Sequence, residues 1–255
     1  MTQEALEIGF GELLLAKVVH RPNRFVVIIL LGGKEVRCHL ADSGRLKELI
    51  YPGNKVLVRE AVPRPGRTRL TSHDLVLAAA PGPDLTWVSV DTRYPTKLLA
   101  KALRARALAE FREYSEVRPE YSFRHEPAEP SGKRVPRSRL DFLLEGEGVP
   151  PALVEAKSVT LCISGVGFFP DAPSSRGTRH LRELVVAAEM GYKSFVIFIA
   201  QREDIEKVTA NAATDPDFAD ALRTARESGV TLLAYRTAIT PSHMVLDPRP
   251  LPVLT

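Results

Sequence analysis

The chain is poor in cysteine: Cys38 and Cys162 are its only two, and they lie far apart. That excludes a cysteine-built metal cluster and a secreted disulfide framework, and it points to a reduced, cytoplasmic protein. Long apolar runs are also lacking. The longest, Phe25 to Leu31, is too short to span a bilayer, so no membrane role is expected. Met1 to Gly11 carries glutamates and no basic stretch, so it does not read as a signal peptide. There is no glycine-rich loop ending in Lys-Ser or Lys-Thr and no Gly-x-Ser-x-Gly, which removes support for ATP hydrolysis and for a serine hydrolase elbow. Charge of one sign is not dominant either. With 35 Lys plus Arg against 31 Asp plus Glu, the net charge is +4, which permits nucleic-acid binding without proving it.

What is present is enough apolar residue, 44%, for a substantial core. The first part reads as all-β. Arg24 to Leu31 and Lys34 to Leu40 are strand-like and joined by Gly32-Gly33, a two-residue hairpin signal. Ala41 to Ile50 reads as a turn into a short helix stopped by Pro52-Gly53, and Asn54 to Glu60 and Arg69 to Ala80 as further strands. A small barrel follows, with the OB-fold a fair candidate and other small barrels fitting nearly as well. Pro81-Gly82-Pro83 marks the expected boundary, giving domains 1–82 and 83–255. Beyond it, Trp87 to Asp91 reads as a short strand and Thr96 to Leu108 has helical spacing. Tyr121 to His125, Leu140 to Glu145 and Ala152 to Ile163 read as strands, the last broken near Val159. Then come helix His180 to Met190, strand Ser194 to Ala200, helix Phe218 to Ser228 ended by Gly229, and a closing strand Val230 to Tyr235. This order suggests a mixed sheet flanked by helices, a two-domain α+β chain of the α/β class.

The chemistry concentrates in three charged residues. Asp141 sits in Leu140-Asp141-Phe142-Leu143-Leu144, and Glu155 and Lys157 punctuate Val154-Glu155-Ala156-Lys157. Strand alternation puts Glu155 and Lys157 on one face. With Asp141 alongside, two carboxylates and an ammonium converge, and buried charge is costly unless it is used or paired. Asp141 and Glu155, completed by the Ala156 carbonyl, suit Mg²⁺ or Mn²⁺, hard cations that neutralise a phosphodiester and acidify water. Lys157 would orient the water or stabilise the transition-state charge, so Asp141, Glu155 and Lys157 are the catalytic candidates. Three basic groups are candidate nucleic-acid contacts. They are Lys133, Arg134, Arg137 and Arg139 before Asp141; Arg64, Arg67 and Arg69 on a barrel loop; and Arg176, Arg179 and His180 at a helix start. Phe25 lies in an apolar run and is expected in the core, which favours duplex over single-stranded DNA as partner.

These residues resemble the sugar fermentation stimulation protein (SfsA) family. The resemblance runs nearly end to end. It is carried by Cys38-His39-Leu40-Ala41-Asp42-Ser43-Gly44-Arg45-Leu46, Ser138-Arg139-Leu140-Asp141, Val154-Glu155-Ala156-Lys157-Ser158, Phe169-Pro170-Asp171-Ala172, Arg176-Gly177 and His180-Leu181-Arg182-Glu183. It implies an OB-like N-terminal domain and a PD-(D/E)xK nuclease-like C-terminal domain. The implied metal site falls on Asp141, Glu155 and Lys157, with Glu126 as a fourth candidate. It also implies DNA binding linked to sugar-utilisation genes. Two functions follow: a DNA-binding protein whose metal site cleaves phosphodiesters, or a non-catalytic transcriptional regulator that keeps the nuclease fold. A nucleotide- or RNA-processing enzyme is a third.

Overall fold

The computed structural model describes residues 3–62, 69–123 and 138–255. After a short 3₁₀ turn, β1 (Glu7–Gly9) leads into five strands: β2 (Leu14–Asn23), β3 (Val26–Leu31), β4 (Lys34–Leu40), β5 (Lys55–Glu60) and β6 (His73–Ala79). Neighbouring strands run antiparallel in the order β4-β3-β2-β5-β6, and a parallel β4–β6 pairing closes them into a barrel. This five-stranded barrel is the OB-fold expected from the sequence. Its interior is filled by alternate residues, among them Val27, Ile29, Cys38, Leu40, Val56, Val58 and Leu75. The β3–β4 hairpin turns on Gly32 and Gly33, at φ +56° and +79°, where a side chain would be strained.

Three expectations are corrected here, and one strand is added. Ala41 to Ile50 forms turns and not a helix. The Asp42 carboxylate takes the Gly44 N–H at 2.7 Å, and Leu46 adopts φ +47°, both of which divert the backbone from a helix. Leu46 and Leu49 instead drop into the barrel core. Phe25 is 50% exposed, because the β2–β3 hairpin tip carries it beyond the barrel wall. The strand β2 was not read from the sequence, its apolar alternation being broken by Lys17, His20 and Arg21. The sheets also cross the expected break at 82/83. β7 (Trp87–Ser89) pairs with β6 of the barrel, and β1 pairs with a C-terminal strand.

The second part is a seven-stranded sheet. Its strands are β8 (Glu116–Phe123), β9 (Ser138–Glu145), β10 (Ala152–Val159), β13 (Lys193–Ala200), β15 (Thr231–Ile239) and β16 (His243–Leu251), ordered β1-β16-β15-β13-β10-β9-β8. β10, β13 and β15 are parallel, and their flanks are antiparallel. A small sheet of β11 (Leu161–Ile163), β12 (Val166–Phe169), β14 (Lys207–Ala210) and β17 (Val253–Leu254) lies beside it. The break near Val159 is real, and the last sequence-read strand is not the closing one, since β16 returns antiparallel to it. Of the helices, α1 (Arg93–Arg104) packs with Phe142, Val154 and Ile197. On the other face, α2 (Ser175–Glu189) and α3 (Pro216–Glu227) pack with Leu143, Leu153 and Val196. Gly229, at φ +87°, follows α3 as the sequence suggested. No described helix is long and apolar enough to cross a membrane.

The candidate carboxylate site

Odd-numbered positions of β9 and β10 face α2, which is why Asp141, Glu155 and Lys157 share that side with Leu143 and Leu153. The antiparallel register of β9 and β10 ends at Val154↔Phe142. Continued by one step it would set Glu155 opposite Asp141. There the strands part, and Asp141 Oδ2 accepts the Ala156 N–H at 2.8 Å, taking over a ladder bond with a side chain. The N–H and C=O of one residue leave a strand on the same edge. The Ala156 carbonyl is therefore directed toward the same splayed edge as Asp141.

Glu155 is 4% exposed, and its two oxygens have different fates. Oε1 accepts from Lys157 Nζ at 2.7 Å and from His180 Nδ1 at 2.5 Å. Oε2 is buried with no partner among the described residues. Burial alone would push the Glu155 carboxyl up, but the Lys157 charge and the His180 hydrogen bond outweigh it and hold the carboxyl below the usual range. Asp141 goes the other way. Burial, with Glu155 beside it, pushes its carboxyl up to about 6. Two neighbouring carboxylates with opposed shifts are a poised pair of the kind found at functional sites.

His180 stands on α2, whose N-terminus is capped by Ser174 Oγ accepting from Gly177 N at 3.0 Å. Arg176, one turn earlier, donates from Nε to His180 Nε2 at 3.4 Å. The two contacts select the Nδ1–H tautomer and make a chain Arg176–His180–Glu155. The sequence placed His180 at a nucleic-acid surface. At 1% exposure it is enclosed between Glu155 and Arg176 and presents no surface to a nucleic acid, and that expectation is corrected.

A cavity of about 350 Å³ covers the site. The α/β domain contributes Asp141, Glu155, Ala156, Lys157, the 168–174 loop and Arg176 to its lining, and the barrel contributes Arg24 and the Asp42-Ser43-Gly44 turn. Asp171 ties the halves together by accepting the Leu46 N–H at 2.9 Å. Burial, with Asp171 close by, pushes the Asp42 carboxyl up to about 6 against the Gly44 N–H bond. Arg21 braces the turn from behind, donating to the Gly44 carbonyl at 2.8 Å and to that of Arg45. The sequence motifs contain Asp42, Gly44 and Asp171, but nothing in them says that they meet. Arg21 carried no signal.

The other expected contacts scatter. Arg139 is exposed and paired with Glu120 at 2.9 Å. Arg69 is held by Asp74 and by Thr71 at 3.0 Å, so it is engaged within the barrel. Arg179 is exposed on α2, away from the cavity lining. Arg64, Arg67, Glu126, Lys133, Arg134 and Arg137 lie outside the described residues. Among the described residues no group of three or more His, Cys, Asp or Glu is arranged to hold a metal.

A closed OB barrel set against a mixed-sheet α/β domain, with the buried Glu155 and the half-buried Asp141 at their seam, defines a two-domain class of protein. The family model described as SfsA N-terminal OB domain matches residues 19–90, and that described as Sugar fermentation stimulation protein RE domain matches residues 93–243. The chain belongs to the sugar fermentation stimulation protein (SfsA) family. It is 43% identical over 231 residues to a sugar fermentation stimulation protein homolog of Moorella thermoacetica, covering 91% of this chain and 92% of that one. A homolog of the same description from Symbiobacterium thermophilum is 42% identical over 245 residues, with 91% and 92% covered. A solved structure, described as that of Pyrococcus furiosus SfsA in complex with Ca²⁺, aligns with a TM-score of 0.81 and 26% identity over 97% of this chain and 98% of that one.

Proposed function

We propose that this protein is a divalent-metal-dependent nuclease acting on DNA. The observation that carries the reading is Glu155 Oε2, a carboxylate oxygen buried beside Asp141 with no partner among the described residues. An unsatisfied buried acceptor costs about 1–3 kcal/mol, a cost that a cation held against Oε2 would offset. Asp141, Glu155 and the Ala156 carbonyl are all-oxygen donors that fit Mg²⁺ or Mn²⁺, and the related P. furiosus protein is described with Ca²⁺, another oxygen-seeking cation. Such a cation supplies neutralisation of the phosphate and acidification of water. The chain's own residues do the rest. His180 and Lys157 pin Oε1, which leaves Oε2 aimed away from both. The remaining N–H groups of the Lys157 ammonium face charge that develops on the phosphate, and Arg176 lines the same cavity to orient it.

The test is calorimetric titration of Mn²⁺ into the parent and Glu155→Ala, with labelled DNA incubated in parallel. Metal binding and cleavage are expected to vanish together in Glu155→Ala. Lys157→Met should keep metal binding while cleavage falls by about 10²-fold or more. If Asp141→Ala/Glu155→Ala cleaved as well as the parent, this assignment would be wrong.

A further inference from the structure

The carboxylate cavity continues into a second one of about 400 Å³ along the seam. The two share Arg24, Ser43, Gly44, Ala172 and Pro173, and the outer one adds Arg21, Asn23 and Arg45. Their charges differ sharply. Asp42, Asp141, Glu155 and Asp171 line the inner cavity together with Lys157 and Arg176, whereas the outer one is lined by arginines and no acidic residue. Within the outer cavity Arg21 is already committed to backbone carbonyls. Arg24 and Arg45 are exposed; their carbonyls accept from Arg21, but their guanidinium groups have no hydrogen-bond or ion-pair partner among the described residues. An inner surface that attracts a cation thus runs directly into an outer one that attracts an anion.

We propose that Arg24 and Arg45 form an outer phosphate subsite, which holds a neighbouring phosphate of a single DNA strand entering the carboxylate cavity. The inference rests on the nuclease reading. It narrows the substrate to an unpaired strand, because the inner cavity is at the low end of small-ligand sites and is walled by the barrel turn on one side and the 168–174 loop on the other. Guanidinium forks are well matched to phosphate oxygens. The barrel would then set the substrate's path, and the α/β domain its chemistry.

Fluorescence anisotropy of a labelled twelve-nucleotide thymidine strand, with Ca²⁺ present and across a salt series, tests this. Arg24→Gln/Arg45→Gln should weaken binding by about tenfold or more, and should flatten the slope of log affinity against log salt by about 0.7, the value for the one phosphate the subsite holds. Arg24→Lys/Arg45→Lys should keep most of the slope. The parent should bind the single strand more tightly than a duplex of equal length. An unchanged slope in the glutamine variant, or equal or tighter duplex binding, overturns the proposal. Ca²⁺ titration of the glutamine variant should match the parent. Calorimetry on Glu155→Ala separates the two readings: undiminished Ca²⁺ binding there sinks the metal site, while the salt slope still judges the outer subsite.

Discussion

Asp171 and Gly44 meet across the seam so closely that a Cβ on Gly44 would lie 2.7 Å from Asp171 Oδ2. The same Asp171 oxygen accepts the Leu46 N–H, so the carboxylate cannot withdraw without releasing the barrel turn. Gly44 has no positive φ among its constraints; it is required for space. Gly44→Ala is therefore expected to cost about 1–3 kcal/mol through overpacking. A double-mutant cycle with Asp171→Ala, read by denaturant unfolding, should recover part of that cost. Additive losses would show that the crowding is relieved elsewhere.

His180 acts on Glu155 and not on substrate. Removing it leaves Lys157 alone on Oε1 and frees the carboxylate to rotate. Partners behind a ligating group commonly matter about 10–100-fold in metal affinity. His180→Ala should weaken Mn²⁺ binding within that range. His180→Asn, whose amide can still donate toward Glu155, should restore a good part of it. Calorimetry on both variants checks the order, and equal affinity in His180→Ala and the parent would reduce His180 to packing.

Much of this was legible in the sequence because it follows from periodicity. Strand alternation put Glu155 and Lys157 on one face, Gly32-Gly33 marked the hairpin, and Gly229 ended α3. What escaped depended on meetings between distant segments. Nothing near Asp171 in the chain shows that it bonds Leu46, and His180 looked like a helix-start cation because the carboxylate it serves lies 25 residues away in sequence. The Ala41–Ile50 segment misled for a local reason: its apolar spacing is helical, but Leu46 and Leu49 are spaced to plug a barrel. β2 was missed because an edge of polar residues interrupts its pattern.

Asp141 gives a pH signature. Its folded-state carboxyl stands at about 6 against an ordinary 3.8, so the folded apo-protein holds this proton more tightly than the unfolded chain does. The stabilisation from that proton is present below about pH 4 and is lost as pH rises through 6, on the order of 3 kcal/mol at most. Asp141→Asn should therefore raise the Tm of metal-free protein at pH 7.5 and change it little at pH 4. Because Asp42 titrates in the same window, the difference between variant and parent is the quantity to follow. Mn²⁺ should stabilise the parent above pH 6 and leave Asp141→Asn nearly unmoved. A variant less stable than the parent at pH 7.5 without metal would contradict the assigned burial cost.

Phe25 is half exposed at the tip of the β2–β3 hairpin, directly after Arg24, and its backbone is fixed by the Asn23 side chain accepting the Phe25 N–H at 2.9 Å. A large apolar ring held out of the core gains nothing for folding, so Phe25→Ala should change stability by no more than about 0.5 kcal/mol. An exposed aromatic beside an unpaired arginine on an OB barrel is, however, a surface on which a base can stack. Stacking on aromatic side chains is worth about 1–3 kcal/mol per base in single-strand binders. Phe25→Ala should therefore lower affinity for the thymidine strand by about that amount while leaving the salt slope intact, because the ring carries no charge. That separates it from Arg24 and Arg45, which move both quantities. Loss of slope in Phe25→Ala would mean that the hairpin tip had shifted and taken Arg24 with it. Full retention of affinity would place the strand's bases on another face of the barrel.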